Sequence, residues 1–274
     1  MYFIKLFNNI KLIFIPLYSV GSHFYLLREF ISREIKGRFA GSTAGILWTL
    51  INPLVNISLY YFVFSIIIRV QVNTAETGTD SFFIYFLSGF FPWYFFSESL
   101  SRSVGILIEN ANLITKVVFP LELLPVGTVF TSLILNGIGM TIFLIYLILE
   151  GYFHISWGFL LLIIPFQIFF IWGLANFFSA LCVFIRDMRE IMSILLTVWF
   201  YATPVIYPAS MLPASFEIIK FNPMWMFVQL YRDAIIVHHI NWVDFGIVGI
   251  ISLLSYCIGT WFFMRAKPSF GDVL

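Results

Sequence analysis

Apolar residues run along this chain in long uninterrupted stretches rather than in the short alternating patches of a water-soluble fold. A helix needs roughly 20 mostly apolar residues to cross the hydrocarbon core of a bilayer. Six stretches approach that length, at 43–68, 82–101, 126–148, 157–184, 190–206 and 243–264, each bounded by charges or by Pro, Gly and Asn, the fifth being the shortest. Three intervening segments follow a different pattern. Residues 23–39 (HFYLLREFISREIKGRF) place Phe24, Leu27, Ile31 and Ile35 on one helical stripe and Arg28, Glu29, Ser32, Arg33 and Lys36 opposite, which predicts an amphipathic helix lying in the cytoplasmic membrane interface. Residues 109–125 (ENANLITKVVFPLELLP) have the mixed polarity of a short helix projecting from the membrane, broken at Pro120. Residues 203–241 are apolar but cut by Pro204, Pro208, Pro213 and Pro223 into pieces too short to cross, so they lie at the surface or dip in and return. Residues 1–22 hold Lys5 and Lys11 around an apolar patch interrupted by Pro16, and read as a retained cytoplasmic tail. The fold class predicted is an all-α integral membrane protein. A single membrane domain over 1–274 has six transmembrane helices, an N-terminal amphipathic interface helix and short re-entrant helices before the last span.

Charge placement orients these spans, because basic residues resist translocation. With a cytoplasmic N-terminus, Lys5, Lys11, Arg28, Arg33, Lys36, Arg38, Arg102, Lys116, Arg186, Arg189, Arg265 and Lys267 fall inside, and only Arg69, Lys220 and Arg232 fall outside. Both termini are therefore expected in the cytoplasm. Composition agrees: 61% of the 274 residues are hydrophobic and only 11% charged, against about 25% charged in soluble domains, and mean hydropathy is +0.96. Too little polar surface remains for a water-soluble enzyme. A net charge of +1 gives no field for nucleic acid. Cys182 and Cys257 both sit in apolar runs and cannot build a disulfide framework or a Cys-rich metal site.

The spans carry almost no ionisable groups. Glu98 and Arg102 stand one helical turn apart at the cytoplasmic end of the second span and read as an i,i+4 pair, while Asp244 sits at the outer end of the sixth. His238 and His239 are adjacent and so do not face a common ligand on a helix. The chain has no HExxH or GxSxG spacing, and without a Gly-Lys dipeptide it has no Walker A loop; the reading is a non-enzyme that binds no cofactor or metal itself. Aromatic residues make up 20% of the chain. Rings in spans either sit in lipid and at its interfaces or stack on the apolar faces of sugars, with Tyr and Trp also hydrogen-bonding hydroxyls. Tyr60, Trp93, Tyr94 and Tyr201, from spans one, two and five, are the candidates for such a glycan path. One six-span subunit has too few helices to enclose a wide hydrated path, so two copies are expected to share it. Pro53, Pro92 and Pro165 lie inside spans and suit helices around a cavity, and the Gly41–Gly45 spacing permits close helix packing.

Several ordered motifs are similar to those of one family. REFISREIKGRFAGSTAGILWTLINPLV resembles the opening signature of ABC-2 type permeases that export polysaccharides, through Arg28, Glu29, Arg33, Arg38, Ser42, Gly45, Trp48 and Pro53, with Phe39 and Ala44 where Tyr and Leu are usual. RDMREIMSILLTVWFYATPVIYP resembles the family's Arg-Asp turn and the following span through Arg186, Asp187, Pro204, Val205, Ile206, Tyr207 and Pro208. FNPMWMFVQLYRDAI matches its N-P…Y/F-R segment through Asn222, Pro223, Tyr231 and Arg232. The resemblance, which covers most of 27–268, implies a homodimer in a bacterial inner membrane, seated on two copies of a separate subunit that binds ATP-Mg. Its implied cargo is a lipid-linked glycan such as O-antigen, capsule or teichoic acid. On that basis Lys116, Val117, Val118, Phe119 and Glu122 are expected to dock on the ATPase, and Arg28, Arg33, Lys36 and Arg38 to meet phosphates of membrane lipid or substrate. An ABC-2 exporter of a drug or lipid without a glycan is the alternative. A membrane-embedded acyl- or glycosyltransferase would need a clustered His/Asp/Glu site, and the sequence has none.

Overall fold

The computed structural model describes residues 2–70, 72–116, 119–211 and 219–274, which are helical and contain no strand among the described residues. In order the helices are α1 (Tyr2–Ser22), α2 (Phe24–Arg38), α3 (Trp48–Tyr61), α4 (Thr74–Thr77), α5 (Phe82–Ser103), α6 (Ile106–Glu109), α7 (Ala111–Lys116), α8 (Leu123–Leu149), α9 (Leu160–Phe184), α10 (Met188–Tyr201), α11 (Pro223–Arg232), α12 (Trp242–Ala266) and α13 (Phe270–Val273). A π-helical turn, Phe62–Ile67, prolongs α3, and a 3-10 turn, Ile155–Phe159, leads into α9. Four of these helical runs are long and apolar enough to cross a membrane: Leu50–Ile67, Leu123–Leu149, Ile155–Phe184 and Trp242–Val273.

The other two expected spans differ in character. Helix α5 has 22 residues, about 33 Å at 1.5 Å per residue, but Tyr, Trp, Pro, Ser and Glu98 dilute its hydropathy. Burial explains the composition, since sixteen of its residues, from Phe82 to Ser103, are enclosed by neighbouring helices. Phe96 is fully buried, its ring 4.9 Å from Trp199 edge-on and 5.9 Å from a stacked Phe170. Helix α10 has 14 residues, about 21 Å, and ends before the predicted boundary at 206 because turns take over from Ala202, Pro204 disfavouring helix in the residue ahead of it.

Helices α9 and α12 make the closest crossing. A Cβ on Gly259 would strike the Gly173 backbone, and one on Gly173 the backbone of Ser255 and Tyr256. Asn176 Nδ2 donates to Thr260 Oγ1 at 3.0 Å and Ser255 Oγ to the Phe170 carbonyl at 2.9 Å across the same seam. Small residues that admit close backbones are the usual solution where lipid removes the hydrophobic drive between helices. The Gly41–Gly45 pair does not play this part. Both residues have positive φ (78° and 52°) in the turn between α2 and α3, and nothing approaches their Cβ positions.

The N-terminal segment is a helix rather than a simple tail. Tyr256 Oη of α12 donates to the Ile13 carbonyl at 3.0 Å, and Ser19, buried, donates to Glu122 at 2.6 Å.

Candidate functional site

Helix α2 carries its own anchor. Leu27 and Phe30 are buried, Phe30 so close over Gly127 of α8 that a Cβ there would collide with the ring. The rest of the predicted apolar stripe is looser, with Phe24 exposed. Seating against α8 swings the C-terminal turn of α2 over the end of α5, and a four-member ion ladder follows. Arg38 Nη2 meets Glu34 Oε1 at 3.0 Å, Arg38 Nη1 meets Glu98 Oε1 at 3.0 Å, and Glu98 Oε1 also takes Arg102 Nε at 2.6 Å. Glu34 Oε2 accepts from Thr131 Oγ1 of α8 at 3.0 Å. The Glu98–Arg102 pair expected from i,i+4 spacing is thus half of a larger network, whose other half lies 60 residues away.

A cleft of about 220 Å³ opens on this ladder, lined by Arg38, Phe39, Trp48, Asn52, Tyr94, Glu98, Arg102, Leu135 and Asn136. Polar groups dominate its wall, and Arg38 Nε points to no acceptor among the described residues. Arg102 is half exposed. A broader depression of about 670 Å³ continues from it past Arg33, Glu109, Asn110 and Arg189. Arg189 seals the far side, donating to the Gly105 carbonyl at 2.9 Å and pairing with Glu109 at 3.2 Å. Of the basic residues expected at phosphates, Arg38 is committed to the ladder, Arg33 donates to Asn110 at 3.3 Å, and Arg28 and Lys36 are exposed.

The four candidate rings do not share one environment. Trp93 is 4% exposed, between Phe96 (5.4 Å) and Phe200 (5.5 Å). Tyr60 leans on Phe200 (5.3 Å) and Phe86 (5.7 Å) and remains partly open. Tyr94 lines the cleft, and Tyr201 is 56% exposed. Tyr60 and Tyr201 flank Phe200 on the side where α3 and α10 present outward apolar faces, with Leu59, Ile66, Ile194 and Val198 exposed.

Among the docking candidates, Val117 and Val118 lie outside the described residues. Phe119 lines a groove of about 580 Å³ together with Leu26, Phe30, Arg33, Lys36 and Leu113. Lys116 is the last residue of α7. Glu122 is turned inward instead: it is 3% exposed and accepts from Ser19 and from Lys267 Nζ, both at 2.6 Å. Burial alone would raise its pKa, but the Lys267 and Ser19 hydrogen bonds outweigh burial and hold it below the ordinary carboxylate value. A neutralised carboxylate with both oxygens occupied is an internal staple between α1, α8 and the C-terminal turn, and is not free to dock a partner.

The segment before α12 is fastened by residues whose roles spacing alone does not reveal. Asn222 caps α11, accepting from the Met224 amide at 2.9 Å with Pro223 in the first turn, and also accepts from Trp199 Nε1 at 2.7 Å. Tyr231 Oη donates to Gln167 at 2.7 Å, and Gln167 donates on to the Pro92 carbonyl at 2.7 Å. Arg232, counted above among external loop charges, is 3% exposed. It donates to the carbonyls of Pro204 (2.8 Å), Val205 (3.1 Å) and Tyr85 (3.3 Å) and lies 3.6 Å over the Tyr85 ring. Gly89 is required beneath it, since a Cβ would come within 2.7 Å of Nη2.

Against known proteins, the chain is 29% identical over 261 residues to the O-antigen export system permease protein RfbA of Klebsiella pneumoniae, covering 94% of this chain and 98% of that one. It is 30% identical over 220 residues to the RfbA of Myxococcus xanthus, covering 78% and 82%. With the polysialic acid transport protein KpsM of Escherichia coli it shares 25% over 233 residues, 83% and 88% of the two chains. The match to the ABC-2 type transporter family runs over residues 25–236, from the amphipathic helix α2 through the Arg232 pin, and the chain belongs to that family.

Proposed function

We propose that this chain is the membrane subunit of an ATP-driven exporter that moves a lipid-linked polysaccharide outward across a bacterial inner membrane. The observation that carries the reading is near full-length similarity to O-antigen export permeases, supported by the more distant likeness to a polysialic acid transport protein. In this reading α3, α5, α8, α9, α10 and α12 are six spans, α2 lies in the cytoplasmic interface, and α11 enters from outside and returns. Both termini are cytoplasmic. Two copies form the transporter, because the helices of one chain are too few to enclose a wide hydrated path.

ATP-Mg belongs to two copies of a separate subunit, docked on the groove lined by Phe119 and Leu113, on Lys116 and on the exposed Arg186–Asp187 turn. The polar cleft over the ion ladder receives the phosphate-bearing end of the substrate, with the half-exposed Arg102 in its wall and Arg33 in the adjoining depression. Tyr94 lies at its mouth, and Tyr60 and Tyr201 line the path between copies. Stacking of about 0.5–1.5 kcal/mol per ring is weak enough to let a chain slide. Inside-out vesicles carrying this chain and its ATPase provide the test: labelled lipid-linked glycan added outside should become protected in the lumen only with ATP. Protection without ATP, or none with the complete pair, refutes the reading.

A further inference from the structure

On the side of the molecule that the proposed function places outside the cell, two histidine rings lie tilted against each other. His154 ends the loop after α8 and His238 follows the π-helical turn Asp233–Val237 after α11. Their centroids are 4.3 Å apart at an interplanar angle of 32°. Ser156 joins them: its Oγ lies 2.9 Å from His154 Nδ1, 3.1 Å from His238 Nδ1 and 2.7 Å from the Ala234 carbonyl.

The hydrogen bonds around Ser156 constrain where these rings carry their protons. The Ser156 amide donates to His154 Nδ1 at 3.2 Å, so that nitrogen holds a lone pair and the ring proton sits on Nε2. That bond also caps the 3-10 turn Ile155–Phe159. Ser156 Oγ–H has one proton for two facing acceptors, the Ala234 carbonyl at 2.7 Å and His154 Nδ1 at 2.9 Å, while its lone pairs can accept from His238 Nδ1–H. In the imidazolium form both ring nitrogens are donors, so a proton on His154 Nδ1 leaves it only Ser156 Oγ as acceptor, sets N–H against the Ser156 N–H and removes the cap of the 3-10 turn. A second proton on His238 brings two like charges to stacking distance. His238 meanwhile has φ 62°, the left-handed region that a non-glycine residue occupies at a cost.

From this geometry we infer that His154, Ser156 and His238 form a proton-sensitive clasp, closed when both rings are neutral, that holds the segment after α11 against the turn leading into α9. It is a regulatory device of the extracytoplasmic side, and its location there rests on the function proposed above. The charged neighbours are accounted for. Asp233 accepts from the Asn241 amide at 3.2 Å on the opposite side of the turn, where His239 and Asp244 also stand. The carboxylates of the passing loops, Asp80 and Glu150, are exposed. None makes a hydrogen bond to either ring of the pair among the described residues. Burial, and next the neighbouring His154 ring, push the His238 pKa below its ordinary value, in keeping with a pair that is closed at neutral pH.

Amide hydrogen exchange of the full-length protein in nanodiscs, corrected for intrinsic rates, reads the clasp directly. Between pH 7.5 and 5 the amides of 155–159 and 234–238 should exchange about tenfold faster, a factor equivalent to one unit of pKa. His154→Asn retains an acceptor for Ser156 but cannot be protonated, and should remove this pH dependence while leaving the neutral-pH rates near wild type. Asp233→Asn should leave the dependence in place. A flat wild-type profile, or an unchanged rise in His154→Asn, overturns the clasp. Sidedness is read separately by labelling His239→Cys, in a background without Cys182 and Cys257, with an impermeant maleimide on intact cells. Absence of labelling would move the clasp to the other face without affecting the exchange result.

Discussion

At the residue scale, polar side chains inside this protein act mainly as fasteners, and each makes a measurable claim. Arg232→Met keeps the volume but strands the carbonyls of Pro204, Val205 and Tyr85, at roughly 1–3 kcal/mol for each buried group left unpaired. The thermal midpoint in detergent should fall well below that of Arg28→Met, which alters an exposed residue; equal midpoints would show that the pin contributes nothing. Glu122 makes a pH claim. Its folded pKa lies below the ordinary 4.5, so its contribution is complete above about 4.5 and is lost as pH falls through the folded value. Stability should therefore drop on acidification below that point in wild type, and Glu122→Gln should lower it at neutral pH and flatten that drop; an unaltered acid limb contradicts the staple. These roles were only partly legible. Asn222, Pro223, Tyr231 and Arg232 stand out in the sequence as a motif, but the partners of Arg232 lie 28, 27 and 147 residues away, and no spacing rule reaches them. Glu98 with Arg102 was readable because i,i+4 geometry is local; Arg38 was hidden because it arrives from another helix.

At the element scale, four of the six expected spans are helical runs long and apolar enough to cross a membrane, because a helix is a local object, but hydropathy did not distinguish a helix facing lipid from one facing protein. Helix α5 shows this most clearly. Its rings suggested a sugar path, whereas Phe86, Trp93 and Phe96 fill the core. Apolar burial and lipid exposure select the same residues, so sequence alone leaves the two unresolved. Substitution separates them. Trp93→Ala should cost about 3–5 kcal/mol as a large-to-small core change and reduce folded protein and export together. Tyr201→Ala, at an exposed ring, should leave folded protein intact and reduce export several-fold. Undiminished export in Tyr60→Ala, Tyr94→Ala, Tyr201→Ala and their triple combination would remove the rings from the path. The expected tail shows the same limit of local reading: α1 is helical by composition, yet its docking depends on Tyr256 and Glu122, more than 100 residues distant.

At the scale of the whole molecule, α5 is a buried hub, α9 and α12 make a tight seam and α11 is pinned, while α3 and α10, like the outer faces of α8 and α12, expose apolar residues. The ion ladder stands where α2 meets the C-terminal end of α5. The central claim is export of a cell-surface polysaccharide, and deletion of the gene tests it most directly. Surface polymer and lipid-linked glycan inside the cell are quantified in the deletion strain with and without a plasmid copy. The account predicts that surface polymer disappears, that glycan accumulates on the cytoplasmic side, and that both changes reverse on complementation. Full surface polymer in the deletion strain, with no internal accumulation, would contradict it.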